Sequence, residues 1–162
     1  STPDKISDLY ENKNLKSRIE RKKISVAEKL RVSLYNETGD SIDAIRHGEQ
    51  FTISLEWDKN IKNVSNIGII IFKGSEAIFA TNTINRIKRL DTNKVSLIVK
   101  DNKLGNGRYR IYVGLYGTSM NDAILINQNA LNYSIYGTNR IGKDNDEWDG
   151  IMYLENKWRK NV

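Results

Sequence analysis

From Val26 onward the chain runs in short stretches of alternating apolar and polar residues, broken by Gly, Asn and Asp. That period of two is the mark of half-buried β-strands. The most regular stretch is Leu104 to Gly117, LGNGRYRIYVGLYG, which opens on a Gly-Asn-Gly turn. Tyr109, Ile111, Val113 and Leu115 fall on one side of it, and Arg108, Arg110, Tyr112 and Tyr116 on the other. The first set suits a core. The second combines guanidinium groups with phenol rings, a mixture suited to holding a polar, hydroxylated ligand.

Further strands are predicted at Ala27 to Tyr35 (AEKLRVSLY) and Gln50 to Trp57 (QFTISLEW), with the turn Asn36 to Asp40 and the step His47 to Glu49 between them. Ile67 to Phe72 (IGIIIF) is nearly continuous in apolar residues, which predicts a central strand covered on both faces. The reversal Lys73-Gly74-Ser75 leads into Glu76 to Thr83 (EAIFATNT), a hairpin by pattern. Lys94 to Lys100, Asp122 to Ile126 and Ala130 to Tyr136 complete about eight strands with no interior helix. Antiparallel strands at this spacing most economically stack as two sheets, so the expected fold is all-β, an antiparallel β-sandwich of jelly-roll or immunoglobulin-like type. After Gly137 a polar loop, TNRIGKDNDEWD, precedes a strand-like segment, GIMYLENKW. A strand on so long an arm is expected to be exchanged with a second copy, giving a homodimer through residues 150–158.

The first 24 residues differ in texture. They hold the only proline and few apolar residues, and they read as a linker, with the sandwich spanning 25–162. At 162 residues the chain has room for one domain with a core. No apolar run approaches the 18 or so residues that span a bilayer as a helix, and no secretion signal is visible at the start. Cysteine is absent, which excludes disulfides and thiolate chemistry. The net charge of +6 raises nucleic acid as a partner. However, residues 1–25 carry seven Lys/Arg against four Asp/Glu, half of that excess, and the rest is scattered over Arg86, Lys88, Arg89, Lys157, Arg159 and Lys160. Scattered charge is unlike a binding stripe, so nucleic acid is not the expected partner.

Catalytic and metal signatures fail on inspection. GTNRIGKD, Gly137 to Asp144, nearly matches a phosphate loop, but Asp144 stands where a magnesium-binding hydroxyl is required, and no amphipathic helix follows. The acidic run Asp144, Asp146, Glu147 and Asp149 fits no EF-hand register. His47 is the only histidine, which leaves neither a triad nor a histidine metal cluster supported. No enzyme activity, metal or cofactor is therefore expected. The remaining candidate is the face bearing Arg110, Tyr112 and Tyr116, with Thr81, Asn82, Asn132 and Ser134 as neighbours by pattern.

The succession IGIIIFKGSEAIFATNT, GNGRYRIYVGLYG, ALNYSIYG and GIMYLENKW resembles the C-terminal carbohydrate-binding domain of Wzt-type ATP-binding subunits of polysaccharide ABC transporters. The resemblance covers roughly Val26 to Trp158. It implies non-catalytic recognition of an exported O-antigen-like polysaccharide, as part of lipopolysaccharide biosynthesis. It also implies a position in the cytoplasm at the inner face of the plasma membrane, and partnership with a membrane permease and an ATPase domain joined through residues 1–24. The terminal-strand exchange follows from the resemblance too. The alternatives from the residues alone are an anionic-polymer or nucleic-acid binding module, or a structural, adhesive sandwich.

Overall fold

The computed structural model describes residues 28–138 together with Met152, Leu154, Arg159 and Lys160. The expected linker 1–24 and the acidic run lie outside the described residues, as do the phosphate-loop look-alike beyond Thr138 and, apart from Met152 and Leu154, the segment 150–158 for which exchange is expected.

Among the described residues there are eight strands: β1 (Leu30–Asn36), β2 (Ala44–Arg46), β3 (Phe51–Trp57), β4 (Asn66–Lys73), β5 (Glu76–Asn82), β6 (Lys94–Val99), β7 (Gly107–Tyr116) and β8 (Ala123–Tyr136). They form a three-stranded sheet in the order β1-β3-β6 and a five-stranded sheet in the order β2-β8-β7-β4-β5. The expected β-sandwich is the observed architecture.

Alternation decides which side of each strand faces the interior. Along β3, Phe51, Ile53, Leu55 and Trp57 are buried while the residues between them are partly exposed. On β7 the set Tyr109, Ile111, Val113 and Leu115 is buried, each at 2 % exposure or less. Ile67, Ile69 and Ile71 from β4 and Tyr133 and Ile135 from β8 join the same core. Removing one such side chain, as in Ile111→Ala, is expected to cost about 2–5 kcal/mol through lost transfer energy and the cavity left behind.

Three features depart from the sequence reading. Asp122 to Ile126 and Ala130 to Tyr136 are not two strands but one, the 14-residue β8. The polar stretch between them does not reverse the chain. Ile111 pairs with Leu131 and Val113 with Asn127, so Gln128, Asn129 and Ala130 together oppose the single residue Tyr112. This is a large bulge, closed locally by the Asn129 amide donating to the Asn127 side-chain oxygen at 3.1 Å. The second departure is β2, too short for periodicity to reveal, which pairs with β8 in parallel whereas the other strand pairs are antiparallel. The third is the outer side of β4, where Ile70 and Phe72 are only partly buried rather than roofed by another layer.

Two contacts fix the start of β7. The Tyr109 hydroxyl donates to the carbonyl of Gly105 at 2.6 Å, and the Lys73 ammonium lies 5.6 Å from the centre of the Tyr109 ring while donating to the Asn106 carbonyl. His47 ties the β2–β3 turn to the same region, its Nδ1 lying 2.8 Å from the Leu104 carbonyl, which identifies Nδ1 as the protonated nitrogen. Leu104 also forms an antiparallel bridge with Met152.

Candidate functional site

Pairing register sets out the outer face of the five-stranded sheet row by row. Phe72, Arg110 and Asn132 are cross-strand neighbours. The next row holds Ala80, Ile70 and Tyr112, with the β8 bulge beyond. Then come Asn82, Gly68, Gly114 and Ile126, and last Asn66 beside Tyr116. At the opposite end Arg108 pairs with Ser134. Successive rows lie two residues apart, roughly 7 Å. Arg110, Tyr112, Tyr116, Asn82, Asn132 and Ser134 therefore share one face.

Thr81 does not. It pairs with Ile69, whose side chain is in the core, so Thr81 points toward the gap between the sheets. There it borders a cleft of about 160 Å³ with Leu55, Ile67, Leu97 and Arg86, and its hydroxyl accepts a hydrogen bond from Arg86. Neighbours in sequence on one strand point to opposite sides, which is why Thr81 and Asn82 part company. Asn82, on the outer face, has its side-chain oxygen engaged by the Ile84 amide at 3.0 Å.

At the centre, the Arg110 guanidinium carbon sits 4.3 Å from the centre of the Phe72 ring, and Nη1 donates to the Gln128 carbonyl in the bulge. One of its five N–H donors is thus committed and its plane is set. The Tyr112 ring lies on the same face of the sheet, 6.5 Å from the Phe72 ring and tilted by 58° to it. Asn132, beside Arg110, donates to the Asn129 side-chain oxygen at 2.9 Å. A guanidinium, an amide and two aromatic rings are held together in fixed geometry, with flat apolar surface next to directed donors.

Tyr116 belongs to the face but not to its accessible surface. It is 8 % exposed, and its ring folds back along β7 over Gly114. A Cβ on Gly114 would collide with that ring, and one on Gly68 would fall 2.9 Å from the Met120 methyl and 3.3 Å from Tyr116. The Tyr116 hydroxyl reaches that of Tyr112 at 3.2 Å. Its acidity is weakened, the pKa being pushed up to about 12, first by burial, then by the hydrogen bond with Tyr112 and by the charge Tyr112 would carry if ionised. Tyr116 thus supports Tyr112 from beneath rather than offering a ring to a ligand.

Two participants escaped the sequence reading. The apolar run Ile67 to Phe72 predicts a strand covered on both faces, whereas the parity of Phe72 against buried Ile69 and Ile71 places it outside. Gln128 contributes only a main-chain carbonyl, and nothing in its residue type signals that. Among the described residues no group of three or more His, Asp or Glu is arranged to hold a metal ion, and no helix is long and apolar enough to cross a membrane.

No protein-family model matches the sequence, and no curated protein matches it. Comparison with solved structures gives the C-terminal domain of Wzt, at a TM-score of 0.55 and 11% identity, covering 82% of this chain and 84% of that one. The soluble domain of PmoD from Methylocystis sp. ATCC 49242 (Rockwell) follows at a TM-score of 0.43 and 10% identity, covering 66% of this chain and 90% of that one. Of the two, the Wzt likeness carries weight, and it concerns architecture: the chain has a Wzt C-terminal domain-like fold.

Proposed function

We propose that this chain is a non-catalytic polysaccharide-recognition module of an ABC exporter, and that the outer face of its five-stranded sheet holds the glycan. The observation that carries this reading is the Arg110–Phe72–Tyr112 cluster, positioned by the β8 bulge on a fold like that of the Wzt C-terminal domain. Saccharide rings have apolar faces and hydroxyl edges. The exposed parts of Tyr112 and Phe72 match the former, and Arg110, Asn132 and Ser134 the latter. In this reading Asn82 extends the polar edge, Tyr116 acts through Tyr112, and Thr81 takes no part. The module works at the cytoplasmic face of the membrane beside a permease and an ATPase domain, as a homodimer through residues 150–158, on an O-antigen-like polymer.

Titration calorimetry with the polysaccharide of the same organism tests the reading. Tyr112→Ala is expected to remove detectable heat while thermal unfolding stays cooperative. Unchanged heats for Tyr112→Ala together with Arg110→Ala would overturn it. On the sheet face, hydrogen bonds and ring contacts predict that affinity for an uncharged oligosaccharide changes little between 50 and 200 mM salt, whereas nucleic-acid binding at several phosphates would weaken by orders of magnitude.

A further inference from the structure

At the Tyr116 end of the outer face, where β4 begins and β7 ends, lies an open cleft of about 770 Å³. Its polar lining includes Ser65, Asn66, Asn85, Thr118, Lys88 and Arg89. The last two come from the β5–β6 loop, and both are exposed. Among the described residues neither has a carboxylate within 4.0 Å, the ion pairs there being Arg31–Glu56 and Lys103–Asp101. Asp91, close by in sequence, and Asp122, packed at Gly117, do not line the cleft. The third loop cation, Arg86, is turned away to Thr81 and the inter-sheet gap.

The cleft is anchored. Thr83 accepts from the Ile67 amide at 3.0 Å and donates to the Asn66 side-chain oxygen at 3.2 Å, and the Asn66 amide group donates to the Gly117 carbonyl at 2.9 Å. Asn85 takes a left-handed turn at φ 60°, and the amides of Arg86 and Ile87 both donate to the Thr83 carbonyl. The loop's cations therefore stand over a floor tied to β4. Asn66 is the cross-strand partner of Tyr116, four residues along β7 from Tyr112, about 13 Å at strand rise.

We infer that this cleft is an anion subsite, and that the polymer bound on the neighbouring face carries an acidic group, a sugar carboxylate or a phosphate, which Lys88 and Arg89 bind. This rests on the glycan reading above and deepens it. Two cations with no carboxylate partner among the described residues, beside the anchored Asn66 amide, suit a compact oxyanion, for which charge-assisted bonds are the strong ones. Ile84, Ile87 and Leu90 also line the cleft, so a lipid headgroup surface is the competing occupant, which the vesicle arm of the test decides.

The test follows backbone amide shifts in the 162-residue chain during titration with glucuronate, glycerol 1-phosphate and, as uncharged probe, a mannose oligosaccharide. Glucuronate or glycerol 1-phosphate, whichever acidic group is the cognate one, is expected to shift Asn66, Asn85, Lys88 and Arg89 saturably, with Lys88→Gln/Arg89→Gln weakening binding on the order of tenfold. The mannose probe is expected to shift Tyr112 and Asn132 instead, with or without that double substitution. If the mannose probe acts at Tyr112 but neither anion acts at Lys88, the subsite is refuted and the glycan reading stands. If neither class of probe acts, both fall. Scattered anion shifts indifferent to the double substitution refute it as well. So does sedimentation with phosphatidylglycerol vesicles that needs Lys88 and Arg89 while the free anions produce no shift.

Discussion

The Tyr116 ring occupies the volume that a side chain at position 114 would need, with its hydroxyl 3.2 Å from that of Tyr112. Glycine at 114 and at its cross-strand partner 68 creates a trough in the sheet, and a neighbouring aromatic fills it. Gly114→Ala is expected to expel the ring and cost about 1–3 kcal/mol, the usual range for overpacking. A lowered urea midpoint at unchanged slope measures this. Glycan affinity should fall with it, because Tyr112 loses its support.

Arg110 is held by the face of Phe72 and by a main-chain carbonyl, and both contacts use the planar guanidinium. Arg110→Lys keeps the charge but neither the stack nor the fork. Calorimetric affinity for the polymer is expected to drop nearly as far as in Arg110→Ala, on the order of tenfold or more, with the melting temperature within a few degrees of the parent. A lysine variant that binds like the parent would mean that charge alone matters there.

Tyr116 also makes stability depend on pH in the alkaline range. Its hydroxyl keeps the proton up to about 12 in the folded chain against 10.0 when unperturbed, chiefly because it is buried. The folded state binds the proton more tightly than the unfolded one. The contribution is therefore whole below pH 10 and is lost as pH rises from there through about 12. Tyr133, raised further still by burial and then by Tyr109, acts in the same direction. Unfolding free energies from urea titrations at pH 9 and pH 11 should differ by about 1 kcal/mol in the parent, and Tyr116→Phe should narrow that difference.

Two core tyrosines stacked at 5.6 Å make an internal control. The Tyr109 hydroxyl donates to the Gly105 carbonyl, whereas the Tyr133 hydroxyl is buried with no hydrogen-bond partner among the described residues. Tyr109→Phe is expected to cost about 1–2 kcal/mol by leaving a buried carbonyl without its donor. Tyr133→Phe removes an unsatisfied group and should be neutral or stabilising. Thermal unfolding of the two variants side by side distinguishes the cases, and equal losses would contradict the assigned bonding.

Alternation alone determined a great deal. It separated Tyr109, Ile111, Val113 and Leu115 from Arg110, Tyr112 and Tyr116 correctly, because side chains on a strand change sides at every residue whatever the partner strands do. It could not say what lies next to a given residue on its face. Thr81 and Asn82 looked like joint neighbours of Tyr112, but pairing with Ile69 and Gly68 sends them to opposite sides. Tyr116 looked accessible, and the two glycines that let it lie flat belong to strands more than forty residues apart in sequence. The β8 bulge that orients Arg110 arises from register against β7, which no local pattern encodes. Periodicity is a property of one strand, and so it was legible in the sequence. The cluster of Arg110, Phe72 and Tyr112 depends on register among three strands, which is fixed only when the core closes and the strands are held in place against one another.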